Sequence, residues 1–135
     1  MTRKIVYTDL DGTLLDHQTY SWQAAAAMLA RLHEADIPVV PCTSKTRAEL
    51  LPLREELALD TPFIIENGAA VLLPKAMDPG GDAALTLRDG FWVRELVPPR
   101  AQWLALIQAA YADVGKVARG FSEMSSDEIA AITGL

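Results

Sequence analysis

Ile5-Val6-Tyr7-Thr8-Asp9-Leu10-Asp11-Gly12-Thr13-Leu14-Leu15 decides how the rest of the chain is read. A short β-rich apolar run, Ile5 to Tyr7, delivers two aspartates, then a glycine, then apolar residues again. Side chains at i and i+2 share one side of a strand. Asp9 and Asp11 can therefore aim both carboxylates at one point beyond the strand end. Gly12 lets the backbone turn there without a Cβ clash, and the amides that follow could line a phosphate-sized concavity. Two carboxylates at one point repel each other. The arrangement calls for a cation, and hard oxygen ligands favour Mg²⁺.

Other readings of Asp-Leu-Asp-Gly-Thr compete with this one. An EF-hand loop starting at Asp9 needs an acidic or amide residue at 13 and a glutamate at 20, and meets Thr13 and Tyr20. That reading fails. The Asp-x-Asp of nucleotide-sugar transferases stays open, as does a plain strand end with a polar turn.

The segment resembles motif I of the haloacid dehalogenase superfamily, Asp-x-Asp-Gly-Thr-Leu. That resemblance implies Asp9 as the nucleophile that takes a phosphoryl group and Asp11 as general acid/base. It also implies Mg²⁺ between them, held by the Asp9 carboxylate and the Asp11 carbonyl. The chemistry suits the residues: a carboxylate nucleophile splits a hard hydrolysis into two easier displacements, and a second carboxyl can protonate the leaving oxygen.

Beyond motif I, polar residues 16–20 lead to Ser21, a cap for a helix to about Ala35. Ala25, Met28, Leu29 and Leu32 give that helix an apolar face. His17 and His33 read as a loop residue and a solvated helix residue, since neither has a partner at metal spacing. A second strand, Ile37 to Cys42, ends in Thr43-Ser44-Lys45-Thr46. A helix follows from Thr46 to Leu57, with Thr46 and Glu49 as a capping box, Leu50, Leu53 and Leu57 on one side, and a kink expected at Pro52. Phe63 to Ile65 is the third strand, ending at Glu66-Asn67-Gly68. Strand and helix alternate, which predicts right-handed crossovers and a parallel α/β sheet, a Rossmann-like core. Ligands in such sheets bind beyond the carboxyl ends of the strands. Asp9, Thr43 and Asn67 all fall at those ends.

Further strands are expected from Ala69 to Leu73 and from Phe91 to Val97, separated by a Pro/Gly turn region, 74–82. Helices are expected from Arg100 to Asp113 and from Ser125 to Gly134. Asp127 and Glu128 read as acids at a helix N-terminus.

Thr43 matches the superfamily's motif II, a hydroxyl that hydrogen-bonds a phosphoryl oxygen. The resemblance extends phosphate binding to Gly12, Thr13, Ser44 and Lys45, and places Asn67 and Gly68 at the substrate pocket. For Lys45, a solvated residue beside a helix start is the plainer alternative. Cys42 does not begin the Cys-x5-Arg loop of cysteine-dependent phosphatases, because Ala48 stands where the arginine belongs. It reads as a small buried residue at a strand end.

Within the superfamily the chain resembles the mannosyl-3-phosphoglycerate phosphatase group, which carries a type-IIB cap. The likeness lies in residues 7–16, in Cys42-Thr43-Ser44-Lys45-Thr46, in Glu66-Asn67-Gly68-Ala69, and in Gly120-Phe121-Ser122-Glu123-Met124-Ser125. It implies a core part over 1–73 and the opening of a cap over 74–135. The family's motif III lysine and motif IV acidic pair would lie downstream of the cap, so the chain reads as an N-terminal part of such an enzyme. The implied function is Mg²⁺-dependent hydrolysis of a phosphorylated sugar-acid through an aspartyl-phosphate. Alternatives are an inactive truncated or binding piece, and a phosphomannomutase-like transferase or other sugar-phosphate phosphatase.

Composition bounds these readings. The 135 residues are 50% hydrophobic, which supports a packed core. A formal charge of −6 argues against nucleic acid or an anionic membrane as partner. One cysteine cannot form an internal disulfide. With no signal-peptide stretch after Met-Thr-Arg-Lys and no span-length apolar segment, a cytoplasmic location is expected. An unpaired sheet edge would leave self-association open.

Overall fold

The computed structural model describes residues 4–77, 79–115 and 119–134. Two compact units emerge, Met1–Val97 and Pro98–Leu135. In the first, β1 (Val6–Thr8) lies parallel to β2 (Val39–Pro41), with Val6 opposite Val39 and Thr8 opposite Pro41. A parallel bridge from Cys42 to Ile64 carries the order on to β3 (Phe63–Ile65). The crossovers are α1 (Ala26–Glu34), entered through a 3₁₀ turn at Gln23–Ala25, and α2 (Arg47–Glu56). This is a Rossmann-like α/β core. From β3 the chain doubles back as β4 (Ala70–Pro74), and an antiparallel sheet in the order β3-β4-β6-β5 follows, with β5 at Thr86–Arg88 and β6 at Phe91–Glu95.

The core explains this arrangement. Leu10, Leu15, Leu50, Phe63, Ile65, Leu72 and Val93 are buried together, drawing on the motif I loop, α2 and both ladders. Fully burying side chains of this size is worth about 1.5–3 kcal/mol each. On α2, Leu50 and Leu57 are buried and Leu53 is half-buried, as their spacing predicts. The helix runs through Pro52 as one element, and its capping box is made: Thr46 Oγ1 accepts from the Glu49 amide, while the Thr46 amide donates to Glu49 Oε2 at 2.8 Å.

Several expectations need correcting. Met28, expected on the inner face of α1, is 53% exposed, and the half-buried positions are Ala25, Ala26, Leu29 and Leu32. Strand β2 is shorter than Ile37 to Cys42, because Pro38 and Pro41 offer the ladder no amide donor. Strand β5 falls where no strand is expected. Strands β4 and β6 pair along their whole length, inside the unit that ends at Val97. Asp78, in the expected turn region, lies outside the described residues.

The second unit holds α3 (Arg100–Asp113), a 3₁₀ turn at Phe121–Glu123, and α4 (Ser126–Thr133). Ser125 caps α4 in a capping box with Glu128, and Gly134 ends it in the left-handed conformation with φ 74°. Both features follow the sequence expectation. Hydrogen bonds and the nearby Arg119 guanidinium hold the Glu128 carboxyl below its ordinary range, the Ser125 amide contributing most. That is the role of an acid at a helix N-terminus.

Candidate active site

Strand β1 ends at Thr8, so Asp9 is the first residue past the sheet. The loop after it is closed by its own backbone: the Leu15 amide donates to Leu10 O at 2.8 Å, Thr13 to Leu10 O at 3.1 Å, and Gly12 to Leu15 O at 3.0 Å. Gly12 sits at φ 75°, where a side chain would be strained. Leu10 is fully buried while Asp9 is exposed and Asp11 half-buried, so the apolar residue between the aspartates anchors the loop.

The next strand end supplies Thr43, which is 3% exposed. Its amide donates to Ile64 O at 3.1 Å, its carbonyl accepts from the Asn67 amide at 3.0 Å, and its hydroxyl accepts from the Lys45 amide at 3.1 Å. The third strand end is the left-handed turn at Glu66 to Gly68, tied back by the Glu66 amide donating to Lys45 O at 3.1 Å. Asn67 and Gly68 line the same cavity as Asp9, and they also open the β3–β4 hairpin.

A cavity of about 420 Å³ lies across these strand ends, lined by Asp9, Cys42, Thr43, Ser44, Ile64, Asn67 and Gly68. Four of the expected site residues are not in its lining: Asp11, Gly12, Thr13 and Lys45. Gly12 and Thr13 donate their amides to carbonyls of their own loop. Lys45 turns instead to Asp11, with Nζ 2.9 Å from Oδ1. That oxygen is sealed from solvent, and the two groups form a salt bridge. The Asp11 carboxylate holds the Lys45 ammonium above the usual lysine range, against the opposing effect of burial.

Cys42 is a wall residue that sequence reasoning placed at a strand end but not in the site. Burial first, and the charge of Asp9 second, push its thiol up. It is held as a neutral thiol, not an activated nucleophile. His17 and His33 are both exposed. Among the described residues no three His, Cys, Asp or Glu side chains cluster as a metal site. Mg²⁺ is commonly held by one or two carboxylates plus waters and substrate phosphate. The oxygen donors of Asp9 and Asp11 fit that pattern in kind.

A parallel α/β core with paired aspartates past its first strand, and a hydroxyl and an amide at the next two strand ends, defines the class to which this chain is compared. The profile of the haloacid dehalogenase-like hydrolases matches residues 6–78, and the chain belongs to that family. A glucosyl-3-phosphoglycerate/mannosyl-3-phosphoglycerate phosphatase of Methanococcoides burtonii is 55% identical over 73 residues, covering 54% of this chain and 27% of that protein. A protein of the same name from Persephonella marina is 36% identical over 131 residues, 97% of this chain and 48% of the relative. The chain thus spans about half, or less, of the curated relatives it matches. Among solved structures, a phosphatase of the haloalkanoate enzyme superfamily from Bacteroides thetaiotaomicron aligns with TM-score 0.61 and 22% identity, over 97% of this chain and 46% of that one. A hypothetical protein from Geobacillus kaustophilus aligns at 0.58 and 24%, over 84% and 38%. These likenesses show the fold.

Proposed function

We propose that this chain carries the phosphoryl-accepting part of a Mg²⁺-dependent phosphomonoester hydrolase. Its substrate is a phosphorylated sugar-acid of the mannosyl-3-phosphoglycerate kind, and its intermediate an aspartyl-phosphate. The observation that carries the reading is the cavity past the strand ends, with Asp9 on one wall and Thr43, Ser44 and Asn67 on the others. The names of the two curated relatives support the substrate class.

In this reading an Asp9 carboxylate oxygen attacks phosphorus in line, forming the Asp9–phosphorus bond as the ester oxygen departs. Asp11 gives that oxygen its proton. Asp11 then takes a proton from water, which attacks phosphorus, releases phosphate and restores Asp9. Thr43 is positioned for this role by its backbone: with its hydroxyl oxygen accepting from the Lys45 amide, the hydroxyl proton is free to donate to a phosphoryl oxygen. The Asp9 carboxylate and the Asp11 carbonyl would hold Mg²⁺, whose bound charge offsets that of the phosphoryl oxygens. Residues 1–73 are part of the core and residues 74–135 the opening of the cap in this reading. An acidic chain with one cysteine suits a cytoplasmic enzyme that binds no nucleic acid. Among the described residues no helix is long and apolar enough to cross a membrane.

The test is phosphate release from mannosyl-3-phosphoglycerate with and without Mg²⁺. Asp9→Asn should abolish it, and retained turnover removes Asp9 from the nucleophile role. A second reading, a chain without turnover of its own, is favoured by the half-length match to the relatives. A folded parent that releases no phosphate selects it. Movement of phosphate to another carbon of the sugar, with none lost to water, selects a mutase.

A further inference from the structure

Lys45 is expected on the phosphoryl oxygens, yet it is absent from the cavity wall that holds Thr43 and Ser44. Its backbone is fixed on both sides: its amide donates to Thr43 Oγ1 at 3.1 Å and its carbonyl accepts from Glu66 at 3.1 Å. With the peptide groups held, only the side chain can choose a direction. It runs to Asp11, where Nζ stands 2.9 Å from Oδ1, with side chains 19% and 36% exposed. The same ammonium lies 5.6 Å from the centre of the Tyr20 ring, which gives it a second attractive surface on the side of Asp11.

We infer that Lys45 is a positioning residue for Asp11 and not a phosphate ligand. The inference rests on the phosphatase reading, in which Asp11 is the proton donor. The hydrogen bonds among Leu10, Gly12, Thr13 and Leu15 fix the backbone around Asp11 and do not involve its carboxyl. A general acid must sit within hydrogen-bond reach of the oxygen it protonates. Lys45 supplies the missing constraint, tying the carboxyl of the first strand's loop to the backbone of the second and third strand ends. Formed between two part-exposed side chains, the pair adds little stability. Its value lies in holding the carboxyl in one direction.

The experiment compares two substrates in the first turnover of the full chain, following release of the leaving group. An alkyl phosphomonoester needs its departing oxygen protonated, whereas 2,4-dinitrophenyl phosphate does not. Lys45→Met should slow the alkyl ester by about 10²-fold, the typical effect of a misplaced catalytic group. It should leave dinitrophenol release, and the affinity for inorganic phosphate, within about threefold of the parent. Lys45→Arg, which keeps the charge, should recover most of the alkyl-ester rate. Equal slowing of both esters, or weaker phosphate binding by about tenfold, the factor that 1.4 kcal/mol brings, overturns the inference and makes Lys45 a phosphate ligand. Unchanged rates on both esters overturn it in favour of a solvated lysine. A parent that releases neither leaving group overturns the phosphatase reading, and this inference falls with it.

Discussion

Glu66, Asn67 and Gly68 carry φ values of 50°, 56° and 94° in succession, beside the cavity. Left-handed backbone is cheap for glycine, tolerable for asparagine, and costs other residues about 1–2 kcal/mol. Nothing lies within 4 Å of a Cβ placed on Gly68, so Gly68→Ala tests the backbone alone. It should lose about 1–2 kcal/mol in urea unfolding. Asn67→Gly should hold stability within about 0.5 kcal/mol, because the backbone it needs stays accessible. That variant therefore isolates what the Asn67 side chain does in the cavity. The turn was legible at Asn67 and Gly68 because those residue types prefer it. It was not legible at Glu66, a residue with no such preference. Glu66 is held there by its amide bond to Lys45 O and by the neighbouring bond from Asn67 to Thr43 O, both from another strand end. The same limit applies to Lys45, whose direction depends on Asp11, distant in sequence.

Helix α2 shows what a single element reveals and conceals. Its Thr46–Glu49 capping box could be read from spacing, and Thr46→Ala should cost about 1 kcal/mol. Hydrogen bonds from the Thr46 side chain and amide hold the Glu49 carboxyl below its ordinary value of 4.5. A carboxyl depressed in the folded state stabilises above its unfolded pKa and loses that contribution as pH falls through the folded value. Stability should therefore drop as pH falls from about 4.5. Glu49→Gln, which cannot titrate, should flatten that part of the pH profile in urea unfolding; an unaltered slope would leave the capping carboxylate without a role in acid stability. Arg54 was hidden. It is 6% exposed, donates from Nη2 to Thr61 O at 2.7 Å, and stacks 4.2 Å from the centre of the Phe63 ring. Residue type points an arginine to the surface, and its burial depends on the Thr61 carbonyl and on the aromatic residues of β3 and β6. Arg54→Ala should cost about 2–4 kcal/mol, combining a lost buried hydrogen bond with lost cation–π stacking. Strand β5 was hidden for the opposite reason: Thr86, Leu87 and Arg88 are all exposed, so no buried face imposes alternation on them.

At the scale of the whole molecule, the order of strands and helices through residue 65 could be read because each parallel strand ends in polar site residues. The antiparallel pairing of β4 with β6 could not be read, since it joins segments across a turn region whose sequence is that of a boundary. The edge of β1 carries the consequence for solution behaviour. Among the described strands β1 pairs only with β2, so its other edge has no strand partner among the described residues. Parallel strands of α/β sheets are normally covered on both faces. Here Ile5 is 52% and Tyr7 62% exposed. Natural edges are blunted by charge, proline or bulges, and Ile5, Val6 and Tyr7 supply none of these. The chain should therefore self-associate through this edge, with sedimentation velocity showing mass that rises with concentration. Tyr7→Lys places a charge beside the open edge and should shift the distribution towards monomer, while the Thr46–Glu49 cap and the Asp9 loop remain folded by circular dichroism and urea unfolding. A parent that stays monomeric across the concentration range would show that the edge is closed in solution by some other part of the chain.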